Sequence, residues 1–206
     1  MRVLHLLLTV LIAGNASASP STLQHDQAKD AFGVVDTSRV GKAALQTDPI
    51  RDRWEGTTLK KDDYLLRLDI DIDDDDRKDL CISLASKRDG QQGNMWAVYK
   101  GVRRGYKYVG EAEFHDDVYL LRYIKPLHRH GLISFSPGGG GTGVFVAYTI
   151  QGNELVETNL EAARNWSQYH ALMHKYFPEK PVGIPLPKAR KISTVELAKK
   201  YNIHLE

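Results

Sequence analysis

The chain has one cysteine, Cys81, in 206 residues, so no internal disulfide can form and the fold must rest on a buried core. Its N-terminal stretch of mostly apolar residues, 3–12, is too short to span a bilayer as a stable anchor. A surplus of one charge is also missing. Lys plus Arg number 28 against 26 Asp plus Glu, a formal charge of +2, which argues for neither a nucleic-acid partner nor a membrane surface. No Gly-x-Ser-x-Gly elbow, His-Glu-x-x-His helix or Cys/His pairing occurs, so the common hydrolase signatures are excluded. Cys81 lies inside an apolar strand pattern and reads as a small buried residue.

The N-terminus reads as a secretory signal. Arg2 precedes the apolar residues 3–12, and Ala16-Ser17-Ala18 supplies small residues for cleavage near Ala18. Loss of Arg2 with the signal leaves a balance close to +1. Residues 19–58 form a polar lead-in with turn signals at Asp48-Pro49 and Glu55-Gly56, and helical turns are predicted at 38–45 and 49–54. Trp54 is expected to pin this arm to the domain, its alternative being an exposed platform for sugar.

From Tyr64 the pattern alternates. Tyr64, Leu66, Leu68, Ile70 and Ile72 take one face of a strand, while Asp69, Asp71 and Asp73 take the other. The strand runs into a clump of carboxylates, with aspartate at 69, 71, 73, 74, 75, 76 and 79. Such crowding is self-repelling unless a cation offsets it. From Asp71, aspartates fall at positions one, three, five and nine, matching a calcium loop in which Asp71, Asp73, Asp75 and Asp79 give carboxylates and Arg77 a carbonyl. Zinc would require nitrogen or sulfur, which this stretch lacks. An EF-hand is excluded, because its position twelve is Ile82 and the flanks alternate with period two. Position six, usually glycine, is Asp76, which must tolerate a left-handed backbone. The alternative is an acidic, solvated turn with no ion.

The stretch DIDDDDRKDL resembles the calcium loop of FG-GAP repeats, as in integrin α-subunit propellers. The resemblance covers about a dozen residues and implies calcium at Asp71, Asp73, Asp75 and Asp79 within a β-hairpin. One copy implies no propeller, which needs at least about four blades. More loosely, residues 69–157 are similar to secreted bacterial proteins in which such a loop precedes a GxxWxVY strand, here Gly93-Asn-Met-Trp96-Ala-Val-Tyr99. That resemblance implies no activity.

Strands are predicted at 80–84, 95–99, 106–109, 117–124, 131–135, 144–150 and 155–157, an antiparallel meander or sandwich. Ser136-Pro-Gly-Gly-Gly-Gly-Thr-Gly143 lacks the Lys-Ser/Thr and the helix of a phosphate loop. It reads as a hairpin connection or a loop that closes over a ligand. Ala162, Trp166, Tyr169, Met173 and Tyr176 predict an amphipathic helix over 159–177 whose stripe lies on the sheet; Asn165-Trp-Ser167 matches a glycosylation sequon within it. Residues 178–187 hold four prolines and predict an extended linker. Ser193-x-x-Glu196 is a capping box opening a helix to about Tyr201, within a tail that docks back or engages a partner.

The fold class is therefore mainly β with a flanking C-terminal amphipathic helix, α+β overall. The expected divisions are a signal at 1–18, a lead-in at 19–58, a calcium-loop domain at 59–177, and a linker with short helix at 178–206. The expected function is a secreted or periplasmic calcium-binding domain in a structural or binding role toward an extracellular or envelope partner, with calcium structural. The alternative is a small secreted hydrolase using Glu111, Glu113, Asp116 and Asp117, or the histidines at 115, 128 and 130. It requires those groups to converge in a pocket.

Overall fold

The computed structural model describes residues 44–89, 93–115, 119–177, 184–185 and 188–206. The signal segment, the predicted turn at 38–43, Asp116, Asp117 and most of the proline-rich stretch lie outside the described residues.

In chain order the elements are β1 (Leu45–Gln46), α1 (Pro49–Trp54), β2 (Thr58–Leu59), β3 (Tyr64–Ile70), β4 (Asp79–Leu84), β5 (Arg88–Asp89), β6 (Gly93–Val102) and β7 (Gly105–Phe114). There follow β8 (Tyr119–Ile124), β9 (Arg129–Gly139), β10 (Thr142–Gln151), β11 (Glu154–Arg164), α2 (Trp166–Tyr176), β12 (Ile184–Pro185), β13 (Arg190–Ser193), α3 (Thr194–Tyr201) and β14 (His204–Leu205). The protein is mainly β with a few helices, as its alternating runs predict. Seven strands form one sheet in the order β1-β7-β6-β4-β3-β13, with β5 also on β6, and five form a second in the order β11-β10-β9-β8-β12. Both are antiparallel. A short parallel pair joins β14 to β2.

Three apolar clusters define the layers. Leu66, Leu68, Ile70, Cys81, Trp96, Val98 and Phe114 from the larger sheet meet Leu132, Val146, Tyr148 and Ile150 from the smaller one. Trp96 stacks on Phe114 at 5.1 Å and its indole N–H donates to the Phe114 carbonyl at 3.0 Å, so the largest buried ring carries no unpaired polar atom. On the outer face of the larger sheet, Ile50, Trp54, Leu197, Tyr201 and Ile203 cover Leu65, Leu80, Ile82 and Tyr99. Trp54 is thus a core residue, 4% exposed, which removes the sugar-platform alternative for it. On the outer face of the smaller sheet, Tyr176, Leu172 and Met173 cover Ile133, Phe145 and Ala147.

The smaller sheet on one face and α1 and α3 on the other explain why β4 is buried along its whole length: a sheet covered on two sides cannot show the alternation of a half-solvated one. The tail docks back. Arg190 to Ser193 pair with β3, and the Ser193 side chain accepts from the Val195 amide at 3.2 Å to start α3.

Two expectations are corrected. Tyr64, assigned to the core face, is half exposed at the start of β3, where the inner layer has not begun. The helix predicted over 159–177 begins at Trp166. Residues up to Arg164 pair with β10, because the β9–β10 hairpin is long enough to template β11 to that point. Asn165 then caps α2 by accepting from the Gln168 amide at 3.0 Å. Ala162 therefore belongs to a strand and Trp166 is exposed, while the stripe from Tyr169 to Tyr176 packs on the sheet as predicted.

Candidate metal centre

The β3–β4 hairpin presents the acidic loop. Its last pair is Ile70 with Asp79, so residues 71–78 form the connection. Local bonds shape it: Asp71 accepts from the amides of Asp75 at 3.1 Å and Asp76 at 3.0 Å, and Asp75 accepts from the amide of Arg77 at 3.1 Å. Aspartate side chains bonding amides two to five residues on are a means of turning a chain without regular structure. Asp74 and Asp76 take φ of +59° and +65°. Asp76 thus adopts the left-handed backbone that position six requires, without glycine.

Three carboxylates converge. Ligand oxygens of Asp71, Asp73 and Asp79 all lie within 4.8 Å of one another. Asp79 is fully buried; its two oxygens accept from the Ile72 amide at 2.9 Å and the Gly101 amide at 2.8 Å. Burial, partly offset by those amides and reinforced by the charges of Asp73 and Asp75, pushes its pKa up to about 7. Asp73 Oδ1 is buried and accepts no hydrogen bond.

The protein also supplies cations of its own. Lys100, on β6, places its ammonium on Asp73 and 3.3 Å from Asp75 Oδ2. Burial alone would lower its pKa, but these two carboxylates hold it above the ordinary lysine value. Arg77 contacts Asp75 at 3.5 Å, and Arg67 forks onto Asp69 at 2.6 and 2.8 Å. His130 Nδ1 lies 3.0 Å from Asp74 Oδ2 without hydrogen-bond geometry. Part of the repulsion that pointed to a metal is therefore offset by side chains remote in sequence. Asp75 stands outside the converging triad, its carboxylate turned toward Lys100 and the Arg77 side chain.

The triad is a hard-oxygen donor set that suits calcium or magnesium rather than zinc. Asp73 Oδ1 has no hydrogen-bond partner and is of the ligand type that such a cation takes. Gly101 closes the site from β6. A Cβ there would lie 2.3 Å from the Lys78 carbonyl, so only glycine lets the strand approach closely enough to bond Asp79.

Four of the described residues of the hydrolase alternative have different surroundings. Glu111 pairs with buried Arg53 at 3.2 Å, beneath α1. Tyr148 bonds the backbone of Glu113. His128 bonds the Tyr123 hydroxyl at 3.0 Å, and His130 meets the acidic loop. A cleft of about 620 Å³ near the start of β3, lined by Lys60, Lys61, Asp63, Tyr64 and Ser86 among others, contains none of these carboxylates or histidines.

Lys100 and Gly101 are site residues that sequence reading missed. The signal, weak but present, was the Lys100-Gly101 pair near the end of β6, the strand that pairs with β4. The chain matches no family model, no curated protein and no solved structure.

Proposed function

We propose that this protein is a secreted or periplasmic binding domain whose FG-GAP-like aspartate loop holds a structural calcium ion. The observation that carries the reading is the convergence of Asp71, Asp73 and Asp79 within 4.8 Å, with Asp73 Oδ1 left without a partner. A cation there ties the β3–β4 loop to β6 through Asp79 and Gly101, and so stiffens one end of the larger sheet. The role is structural in this reading, which Asp79 supports by bonding the close-packed Gly101 backbone. Affinity in the range of about 0.1–1 mM, usual for extracellular calcium modules, suits a compartment outside the cytosol.

The test is a thermal melt of the protein in chelator, in millimolar calcium and in millimolar magnesium, for the wild type and Asp73→Asn. Calcium bound to the folded state raises the wild-type midpoint through preferential binding, and the rise shrinks in Asp73→Asn. Equal midpoints in chelator and calcium for the wild type refute the metal reading.

A further inference from the structure

Helix α2 carries two histidines one turn apart. His170 and His174 are both exposed, and residues four apart on a helix share one face with their Cβ atoms about 5–6 Å apart. Side chains on a helix lean toward its N-terminus, so the His174 ring reaches back over Ala171 toward His170. Ser167 and Ala171, three residues before the two histidines, are small and leave that face uncrowded. Among the described residues neither imidazole makes a hydrogen bond or an ion pair; the contacts of His170 are with rings alone.

Those ring contacts hold His170 in place. It lies nearly parallel to the Trp166 indole at 6.0 Å and meets Tyr169 edge-on at 5.3 Å, while Tyr169 packs on Phe135 at 5.0 Å. The indole in turn rests on the β9–β10 hairpin, where Gly140 and Gly141 turn with φ of +60° and +79° and a Cβ on Gly141 would fall 2.6 Å from Trp166 Cδ2. An imidazole oriented by packed neighbours loses little freedom when it binds a ligand.

The donor set decides the ligand. Residues 165–174 hold two histidines and no Asp or Glu, so this face offers nitrogen where the acidic loop offers oxygen. Imidazole suits divalent copper, nickel and zinc, whereas calcium and magnesium take oxygen. With a metal–nitrogen distance of about 2.0–2.1 Å for zinc, rings on Cβ atoms one turn apart can both reach a single ion. His174 also stands in the last turn of α2, at the helix end whose unpaired carbonyls attract positive charge. Of the cations beside the helix in sequence, Lys175 places its ammonium on Glu161, and Arg164 precedes the first turn, at the end away from His174.

We propose that His170 and His174 form a transition-metal site that takes divalent copper, nickel or zinc, the two imidazoles holding the ion and water filling its other positions. An ion held by two side chains is exchangeable, unlike one closed in by four, and copper binds most tightly of the three. The site goes beyond the calcium reading and shares no residue with it.

Trp166 supplies the assay, because Trp54 and Trp96 are 4% and 0% exposed whereas Trp166, beside His170, is 59% exposed. The full chain is titrated with copper in a non-coordinating buffer containing millimolar calcium while tryptophan fluorescence is followed, and equilibrium dialysis counts bound copper, nickel and zinc. The expected result is saturable quenching by copper, reversed by chelator, with an affinity that falls roughly tenfold or more in His170→Ala and in His174→Ala alike. His174 has no ring contact with the indole among the described residues, so its variant leaves the starting fluorescence unchanged. Thermal melts of the metal-free variants, unchanged within a few degrees, separate lost binding from lost folding. No copper bound by either readout, binding as tight in the double variant as in the wild type, or a loss confined to one of the two single variants overturns the proposal.

Discussion

Asp79→Asn probes the buried end of the acidic loop through its pH dependence. The wild-type carboxyl is fully buried with its pKa pushed up to about 7, against about 3.9 in the unfolded chain. A folded pKa above the unfolded one means the native state takes up a proton. The stabilisation from this group is complete below about pH 4 and is lost as pH rises through 7. Between pH 8 and pH 5, in chelator, Asp79 alone therefore adds about 2–3 kcal/mol, or roughly 5–10 °C in midpoint for a domain of this size. Asparagine cannot titrate, and it offers one acceptor oxygen where Ile72 and Gly101 need two. One buried amide is orphaned, at a cost of about 1–3 kcal/mol. The variant should thus be clearly less stable than the wild type at pH 5, with the gap closing toward pH 8. Urea unfolding at both pH values in chelator reads the difference, and other titrating groups cancel in the comparison. Saturating calcium should flatten the wild-type slope, since a bound cation favours the ionised carboxylate. A gap of the same size at both pH values refutes the reasoning.

Lys100→Met removes the ammonium from Asp73 and Asp75; in chelator it should cost about 1–3 kcal/mol by leaving partly buried carboxylates without a counter-charge. In calcium it should gain, with roughly tenfold tighter binding by titration calorimetry, because the ion no longer competes with the lysine; unchanged or weaker calcium binding contradicts that role. Gly101→Ala forces the Lys78 carbonyl aside from a 2.3 Å clash, and should lose about 1–3 kcal/mol together with most of the calcium-dependent midpoint shift. An alanine variant as stable and as calcium-responsive as the wild type rules out the close approach of β6 to the loop.

Much of the fold is legible in residue order. Alternation in 64–72 gives β3, and helix α1 falls on the predicted residues because Asp48 caps it through the Arg51 amide at 3.3 Å, with Pro49 at its first position. The hairpin at Gly140-Gly141 follows from glycine's access to positive φ. Tertiary pairing overrode local pattern before α2. Ala162 and Trp166 share a helical spacing with Tyr169, yet Ala162 pairs with Val144 in a sheet, and spacing alone cannot say which segments have a strand to lie beside.

The sequence by itself determined the loop's chemistry and its turn. The donors and acceptors that shape it, Asp71 with the amides of Asp75 and Asp76, lie four and five residues apart, and bonds that short form within the chain segment itself. Only the tertiary structure decided what surrounds the carboxylates. Lys100 reaches Asp73 across 27 residues, Gly101 reaches Asp79 across 22, and His130 reaches Asp74 from the other sheet. Those contacts depend on which strands pair and in what register, and strand pairing is decided by burying apolar faces from the whole chain at once.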